Sequence, residues 1–221
     1  MSSHSCPSCG ASVEFRSAAP HAVCSYCRSL LLRRDANLES IGRVAEVPED
    51  FSPLQLNVTG FFDERRFSLV GRLRKVWEQG GWNEWCAQFG DGRLGWLAEA
   101  QGELVMLFEQ PRESLSPRLS PETLSGIWAG DIFTIGERRF EVSDVKEVEC
   151  LGAEGELISC PPMDARMTSI DLRGPGLEFG TIEGNEQEMS VFVGRYVEFT
   201  DCRFSGLRKL AGWSSVDAGA Q

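Results

Sequence analysis

Hydrophobic and polar positions alternate in short runs along most of the chain, and glycine-containing turns separate these runs. Alternation over about four to eight residues predicts β-strands rather than helices. Gly90-Asp91-Gly92 and Gln101-Gly102 are typical of hairpin turns. The predicted body strands cover residues 67–73, 82–89, 93–99, 103–109, 131–135, 139–142, 145–151, 157–160, 169–172, 177–182, 189–193 and 195–200.

Helical periodicity is weak throughout the body. Residues 120–128, Ser-Pro-Glu-Thr-Leu-Ser-Gly-Ile-Trp, predict one brief helical turn. After Phe51 the sequence shows no helical pattern longer than this one. The fold class is therefore mainly β, with an antiparallel β barrel or sandwich as the body at residues 51–205.

A near-repeat links two regions of this body. Glu64-Arg65-Arg66-Phe67 recurs as Glu137-Arg138-Arg139-Phe140, and an aliphatic residue follows two positions after each phenylalanine. If the body is duplicated, it consists of two similar meanders at about 51–125 and 126–205 that pack face to face or close around a shared groove. A four-residue match also arises easily by chance, so an unduplicated body stays open.

Four of the eight cysteines form two C-x-x-C pairs near the N-terminus, namely Cys6 with Cys9 and Cys24 with Cys27. The spacing C-x2-C-x14-C-x2-C is typical of a tetrahedral four-thiolate zinc site, and Gly10 suits the left-handed turn after the first pair. Short strands at 12–15, 21–23 and 30–32 complete a zinc ribbon at residues 1–34. A unit of this size needs the metal to fold, so we predict a structural Zn²⁺ ion.

Other interpretations of the cysteines remain open at this point. A thiol redox centre requires a βαβ pattern around one C-x-x-C, which is missing here, and an iron–sulfur centre uses the same ligands. His4 or His21 could replace a cysteine ligand. Arg28 also stands where zinc ribbons often carry a second glycine.

Two further segments differ in composition from the β-rich body. Residues 35–50, DANLESIGRVAEVPED, combine acids with one glycine and one proline, which predicts a solvated linker or a short helix at 37–44. The C-terminal tail, residues 206–221, has a short amphipathic part at 207–213. That part could dock onto the body or bind a partner, and disorder is expected beyond residue 214.

The formal net charge of the chain is −11, and it is unevenly distributed. Residues 1–34 contain four arginines and one glutamate, so the body is even more acidic than the whole chain. An acidic body repels phosphate backbones, which argues against general nucleic-acid binding. The sequence offers no transmembrane segment and no secretory signal, so a reducing cytoplasmic location is expected.

Several enzyme chemistries are unavailable to the body. Both histidines lie within the first 21 residues, so no body histidine can activate a serine or cysteine nucleophile. A phosphate-binding loop is also missing, and the G-x-G-x-x-G match at residues 90–95 lies at a hairpin rather than before a helix. The remaining cysteines, Cys86, Cys150, Cys160 and Cys202, are expected to be buried core thiols.

A candidate ligand or partner patch lies in the run Gly81-Trp82-Asn83-Glu84-Trp85. Strand alternation places Trp82 and Glu84 on one face, and Asn83 and Trp85 on the other. A carboxylate beside an indole can hold a cation through charge pairing and cation–π attraction. Trp96, with Asp91 and Glu99, could complete an acidic, aromatic pocket, although simple cross-strand packing explains the same pattern.

The run FSLVGRLRKVWEQGGWNEWCAQFGDGRLGWLAEAQGELVM (67–106) resembles the bacterial domain of unknown function 4178. The resemblance covers about residues 55–200, and members that carry an N-terminal zinc ribbon are similar to the whole chain. It implies no catalytic motif. It also implies an association with a membrane protein or a polyamine-enzyme system.

These observations lead to one expected function and two alternatives. We expect a non-catalytic cytoplasmic adaptor whose zinc ribbon and β body bind protein partners. One alternative is a binding protein for a small, polyamine-like cation, which would use Trp82, Glu84 and Trp85. The other is an enzyme that works through carboxylates such as Glu84.

Overall fold

The computed structural model describes residues 2–34, 37–161, 163 and 165–210. Nearly all regular structure in this part of the chain is β, as the sequence predicts. Two short 3-10 helices lie at Arg112–Ser114 and Pro121–Gly126, the second at the predicted helical turn. The strands are β1 (Ser2–Ser5), β2 (Ser12–Phe15), β3 (His21–Val23), β4 (Ser29–Arg34), β5 (Asn37–Arg43), β6 (Thr59–Phe62), β7 (Arg65–Trp77), β8 (Gly80–Phe89), β9 (Leu94–Ala100), β10 (Glu103–Gln110), β11 (Leu115–Ser116), β12 (Ile132–Ile135), β13 (Arg138–Leu157), β14 (Arg166–Arg173), β15 (Glu178–Gly184) and β16 (Met189–Val197).

Eight strands of the body are hydrogen-bonded into a closed ring. The order around the ring is β7, β8, β9, β10, β16, β15, β14 and β13, and β13 pairs with β7 to complete it. All neighbouring pairs are antiparallel. The body is therefore a closed antiparallel barrel, and we call the space that it encloses the lumen.

The ring strands belong to two meanders with the same order of elements, and each meander adds one short strand outside the ring. In each, a short strand forms a hairpin with a long strand, and three more strands follow: β6 to β10 in the first meander and β12 to β16 in the second. The two copies of the Glu-Arg-Arg-Phe motif lie at the two equivalent hairpins, β6–β7 and β12–β13. The shared topology is the arrangement that duplication predicts, and the duplication itself stays a prediction.

Hydrophobic clusters cover the outside of the ring as well as filling part of the lumen. One outer cluster packs the first meander against residues 54–62 and 202–204 and contains Phe67, Trp85 and Phe89. The other packs the second meander against residues 115–135. Alternate side chains of the same strands face the lumen, where Leu73, Cys86, Trp96, Val105 and Phe192 form a third cluster. The lumen is thus shielded on its outer side by apolar layers.

The N-terminal cysteine unit, which we define as the described residues 2–34 and 37–43, packs against one end of the ring. Strands β1 and β2 form a separate hairpin, and β3, β4 and β5 form a small antiparallel sheet. Strand β3 continues this sheet into the ring, because His21 and Ala22 pair with Leu157 and Glu156 at the end of β13. The cysteine unit and the ring therefore share one continuous sheet.

Four secondary-structure predictions need correction. Residues 37–43, predicted as linker or helix, form strand β5, because β4 offers an unpaired edge that these residues complete. The predicted strands 139–142 and 145–151 are parts of one 20-residue strand, β13, whose bulges break the alternation. Predicted strand 195–200 is the end of β16, and little of 157–160 is strand.

The end of the body and the beginning of the predicted C-terminal tail both contact residues 50–59. Ser205 forms an isolated bridge with Thr59, and the Arg208 guanidinium donates to backbone carbonyl oxygens of Asp50 and Ser52 at 2.6 Å each. The remainder of the tail, 211–221, lies outside the described residues, and it includes the end of the predicted amphipathic part, 211–213, and all of the part expected to be disordered. In the described part of the chain, no helix has the length and apolar character needed to cross a membrane.

Closure of the ring depends on two glycines where β7 meets β13. Gly71 pairs with Gly155, and a Cβ atom on Gly71 would lie 1.9 Å from the backbone oxygen of Glu156. We expect Gly71→Ala to reduce the free energy of unfolding by about 2 to 3 kcal/mol, because the backbone must shift to accept the methyl group. Urea denaturation measures this change.

The matched control is Gly90→Ala, since no atom lies within 4 Å of a Cβ placed there. This variant should stay within about 0.5 kcal/mol of the wild type. Equal stabilities for Gly71→Ala and Gly90→Ala would contradict the tight seam between β7 and β13.

Candidate functional site: a cysteine cluster and a charged lumen

The four N-terminal cysteines converge on one point. Their sulfur atoms all lie within 4.8 Å of one another, with Cys6 Sγ 3.7 Å from Cys27 Sγ and Cys9 Sγ 3.8 Å from Cys24 Sγ. Tetrahedral thiolate ligands about 2.3 Å from a zinc ion would be about 3.8 Å apart, so this cluster fits a metal ion. Disulfide sulfurs lie much closer, near 2.05 Å, and all four cysteines are free.

The two Cys-x-x-Cys turns share one backbone geometry. Gly10 N donates to Cys6 O at 2.8 Å, and Arg28 N donates to Cys24 O at 2.9 Å. Gly10 has φ = 77° and Arg28 has φ = 61°, so the left-handed position predicted for Gly10 is confirmed. Arg28 adopts the conformation that a glycine would take more easily, and its side chain forms an ion pair with Glu46 at 2.7 Å.

A buried carboxylate of the ring fixes the cysteine unit in place. Glu156 accepts hydrogen bonds from the backbone N–H of Arg16 at 2.7 Å and of Ser17 at 2.9 Å, and from the Ser17 hydroxyl. Glu156 is only 6% exposed. Because Arg16 and Ser17 both follow β2 directly, Glu156 links the turn after β2 to the end of β13.

The lumen contains two cavities. The outer cavity has a volume of about 480 Å³ and is lined by both meanders, including Trp77, Trp82, Phe179 and Tyr196. The inner cavity, about 160 Å³, lies toward the cysteine unit and is lined by His21 and Cys160, among others. Glu84 and Glu183 line both cavities, so they form part of the wall between them.

A buried lysine joins the two carboxylates of this wall. Lys75 Nζ lies 2.9 Å from Glu84 Oε2 and 2.5 Å from Glu183 Oε2. Burial alone would lower the pKa of Lys75, but the two carboxylates outweigh it and raise that pKa. Burial, followed by repulsion from Glu84, raises the pKa of Glu183 to about 7. The group therefore holds one ammonium between two acids and attracts a further proton or cation.

A second lysine lies in the outer cavity between acids and indoles. Lys146 Nζ is 2.7 Å from Asp171 Oδ2 and 2.9 Å from Asp144 Oδ2. The same nitrogen lies 5.4 Å from the ring centroid of Trp77 and 5.6 Å from that of Trp82. The Lys146 ammonium is thus held by carboxylates on one side and by indole faces on the other.

The predicted patch residues divide between the two faces of the ring. Trp82 and Glu84 face the lumen, and Trp82 Nε1 donates to Glu84 Oε1 at 3.0 Å. Trp96 also faces the lumen and lines the inner cavity with Glu84. Trp85 lies on the opposite face, fully buried in the outer cluster of the first meander. The alternation predicted for Trp82 to Trp85 is therefore present, and it separates Trp85 from the cavity.

Trp85 instead belongs to a polar network under the first meander. Its Nε1 donates to Glu99 Oε2 at 2.9 Å, and Asn83 Nδ2 donates to the same oxygen at 3.0 Å. The guanidinium of Arg72 lies 4.7 Å from the Trp85 ring centroid. Asp91, in the β8–β9 turn, pairs with Arg65 at the surface. Glu99 and Asp91 are thus not part of the lumen.

Most cysteines outside the cluster are buried and shielded. Cys86, Cys150 and Cys202 are 0%, 5% and 1% exposed, and burial raises their pKa values to about 12, 11 and 11. Burial also raises the pKa of Cys160, which is half-buried beside the inner cavity. These thiols are predominantly protonated at neutral pH, as expected of core cysteines.

Sequence reasoning missed the charged residues that the second meander brings into the lumen, together with Lys75. Glu183, Asp171 and Lys146 lie far from Trp82 and Glu84 in the chain, and only closure of the ring brings them together. One available signal was the polar residue at alternate positions of both strands, Ser169, Asp171 and Arg173 on β14 and Thr181 and Glu183 on β15, where a filled core would carry apolar residues.

The raised pKa of Glu183 predicts a pH-dependent stability. A carboxyl whose pKa is higher in the folded state binds more protons than the unfolded chain between pH 4.5 and about 7, so stability falls as the pH rises through this range. Glu183→Gln removes this titration. We expect its unfolding free energy, relative to wild type, to increase by on the order of 2 to 3 kcal/mol from pH 4.5 to pH 8.

Urea titrations of both proteins at several pH values measure this difference. Glu147→Gln, at an exposed position on β13, serves as the control and should give a pH profile parallel to that of the wild type. Parallel profiles for Glu183→Gln and wild type would show that Glu183 titrates normally.

Comparison with known proteins adds one family match. A family model described as "Domain of unknown function (DUF4178)" matches residues 55–199, which is more than half of the chain and includes all eight strands of the ring. No curated protein and no solved structure matches the chain.

Proposed function

The chain belongs to the family of the domain of unknown function DUF4178, and from the geometry of the lumen we propose that it binds a small organic cation without catalysing a reaction. The ligand class that we propose is a linear alkylamine with one or two ammonium groups. The outer cavity, between Trp82 and Glu183, is its binding site. The volume of this cavity, about 480 Å³, is within the usual range for small-molecule sites, about 300 to 1,000 Å³.

The observation that carries this proposal is the excess of acidic over basic side chains around the outer cavity. Five carboxylates line or border the outer cavity against three cations, which are Lys75, Lys146 and Arg173. The buried or mostly buried carboxylates Glu84, Asp171 and Glu183 are already paired with Lys75 and Lys146. The surplus negative charge therefore lies on Glu103, which is exposed, and Asp144, which is half-exposed, and it attracts a cation to the cavity. The carboxylates are Glu84, Glu103, Asp144, Asp171 and Glu183.

Aromatic side chains give the cavity selectivity for an alkylammonium over a metal ion. Trp77, Trp82, Phe179 and Tyr196 contribute apolar surface that can pack against methylene groups, while the indole faces attract an ammonium. A hydrated metal ion would gain nothing from these surfaces. The cavity therefore suits an amine that combines a charged end with a hydrocarbon chain.

A binding role fits the lumen better than carboxylate catalysis. Glu84 and Glu183 both pair with Lys75, and Asp144 and Asp171 both pair with Lys146, which stabilises fixed charge rather than a free acid and base. Next to the inner cavity, burial lowers the pKa of His21 and raises that of Cys160, so this pair is poorly suited to nucleophilic chemistry.

Calorimetric titration with 1,5-diaminopentane at low ionic strength tests the proposal. We expect one binding site per chain, and about tenfold or more weaker binding by Asp171→Asn, since a charge-assisted hydrogen bond is lost. Glu147→Gln removes an exposed carboxylate outside the cavity, and this variant should bind the diamine with the same affinity as the wild type. Absence of both heat and thermal shift in the wild-type protein would refute cation binding.

We propose that the ion held by the cysteine cluster is Zn²⁺. Four thiolates at tetrahedral spacing suit zinc, and they leave no open coordination position, so the ion's contribution is structural. Cys6, Cys9, Cys24 and Cys27 would each supply one sulfur ligand. Elemental analysis of purified protein should find one zinc per chain, whereas iron or no stoichiometric metal would contradict this assignment.

A second candidate function, protein docking by an adaptor, is favoured by one surface feature. Tyr26 lies between Cys24 and Cys27 and is 79% exposed, which is unusual for an aromatic residue in so small a unit. A partner that buries Tyr26 should be captured by the wild type and lost with Tyr26→Ala, which leaves all four ligands in place. Identical partners for both proteins in a pull-down would contradict docking through this residue.

A further inference from the structure

One buried hydroxyl in the outer cavity has no partner. Thr181, on β15, is 5% exposed, and among the residues that the structure describes its Oγ1 has no hydrogen-bond partner. Thr181 lines the outer cavity beside Asp171, its cross-strand neighbour on β14. Leaving a buried hydroxyl unsatisfied is unfavourable, so this atom marks a point in the cavity wall where a ligand donor would be stabilised.

A cation without an acidic partner lies at the mouth of the same cavity. Arg173 is exposed, and its guanidinium lies 4.7 Å from the ring centroid of Tyr196 and 5.8 Å from that of Phe179. In the described part of the chain, no carboxylate forms an ion pair with Arg173, in contrast to Lys75 and Lys146 deeper in the lumen. A guanidinium beside two aromatic rings, with no ion-pair partner of its own, can form hydrogen bonds to a carboxylate of a ligand.

Thr181 and Arg173 lie at different levels along the strands that line the outer cavity. Arg173 pairs with Phe179, and Asp171 pairs with Thr181, so the two levels are two residues apart along the strands. Two residues of a β-strand span about 7 Å. An extended chain of five carbons ending in nitrogen covers about 6 to 7 Å, so one ligand can reach both levels.

We propose that the outer cavity binds a linear amino acid of about the length of lysine, with its side-chain ammonium at Asp171 and Thr181 and its carboxylate at Arg173. This inference rests on the proposed cation binding and specifies its ligand class. The α-ammonium group would lie near Glu103, which lines the mouth. The amine end is thereby recognised in the acidic depth of the cavity and the carboxylate at its basic rim.

Two ligands that differ only in the carboxylate test this assignment. L-lysine and 1,5-diaminopentane have the same chain, so calorimetric titrations with both isolate the contribution of Arg173. We expect the wild-type protein to bind lysine about tenfold or more tightly than the diamine, because the carboxylate gains a charge-assisted hydrogen bond. Arg173→Gln should weaken lysine binding by a similar factor and leave diamine binding unchanged or stronger. Arg118→Gln, an exposed arginine outside the ring, should alter neither affinity.

Thr181→Val tests the deep end of the site independently. It replaces the hydroxyl by a methyl group of similar size, so both ligands should bind more weakly by a similar factor. The unliganded variant should be at least as stable as the wild type, because an unsatisfied polar atom has been removed. A decrease in stability without ligand, or unchanged binding of both amines, would contradict the role given to Thr181.

The possible outcomes separate the two levels of the proposal. Diamine binding that equals or exceeds lysine binding in the wild type would overturn the carboxylate site at Arg173 while leaving cation binding intact. Loss of both affinities in Arg173→Gln would also overturn it. If neither ligand binds the wild-type protein, the proposed function and this inference fail together.

Discussion

We expect replacement of Cys6 and Cys9 by serine to abolish metal binding and to unfold the N-terminal cysteine unit. Two of four sulfur ligands are lost, and a unit of this size buries too little apolar surface to fold without the ion. A structural zinc site contributes on the order of 10 kcal/mol or more to the folding of a small domain, so this is the largest effect that we expect. Elemental analysis and hydrogen exchange of the purified variant measure it.

The exchange data should distinguish the two parts of the chain. Amides of β2 and β3 should lose protection, whereas amides of β9 and β10, on the side of the ring away from β13, should keep it. Cys202→Ser, which alters a buried cysteine outside the cluster, provides the control and should retain one equivalent of metal. Full metal content or unchanged protection of β2 in the double variant would contradict the metal site.

Lys75→Met should destabilise the ring by about 3 to 5 kcal/mol. Lys75 is 3% exposed and is the partner of both Glu84 and Glu183, so its removal leaves two buried carboxylates facing each other without a counter-charge. Methionine preserves most of the side-chain volume, which limits the packing loss. Urea denaturation at neutral pH measures the change.

The triple variant Lys75→Met/Glu84→Gln/Glu183→Gln separates charge from packing. If unpaired charge causes the loss, neutralising both carboxylates should recover most of the stability, since a neutral group of similar shape needs no counter-ion. Lys146→Met should cost less than Lys75→Met, because its acids lie in a more open cavity. Equal destabilisation by the single and triple Lys75 variants would point to packing alone.

The sequence predicted features that depend on local chemistry. Cys6, Cys9, Cys24 and Cys27 were recognisable because a metal site of this type requires fixed spacing within each pair. The hairpin at Gly90-Asp91-Gly92 was recognisable for a similar reason, since its turn favours glycine. The lumen face of Trp82 and Glu84 followed from strand alternation alone.

Features that depend on long-range pairing were not predictable from the same patterns. The cavity exists because β13 closes the ring against β7, about 80 residues earlier in the chain, and nothing in the alternation of β7 specifies that partner. Glu183 and Asp171 enter the site only through this closure. The alternation within β13 was also obscured by its two bulges, which shift the facing of side chains.

The error at residues 37–43 has a different cause. Most of these residues are exposed, so the segment lacks the apolar alternation that identifies a strand. Its strand conformation comes from hydrogen bonds to the edge of β4, which backbone groups of any sequence can supply. Composition therefore suggested a linker, although the pairing surface was already present in the neighbouring strand.

A crystal structure of the protein grown with 1,5-diaminopentane tests the central claim most directly. The account predicts electron density for one diamine inside the ring, with an ammonium nitrogen within hydrogen-bonding distance of Asp171 and Thr181 and the methylene chain beside Trp82. Density for the amine only on the outer surface, with the lumen closed or collapsed around Lys146, would contradict it.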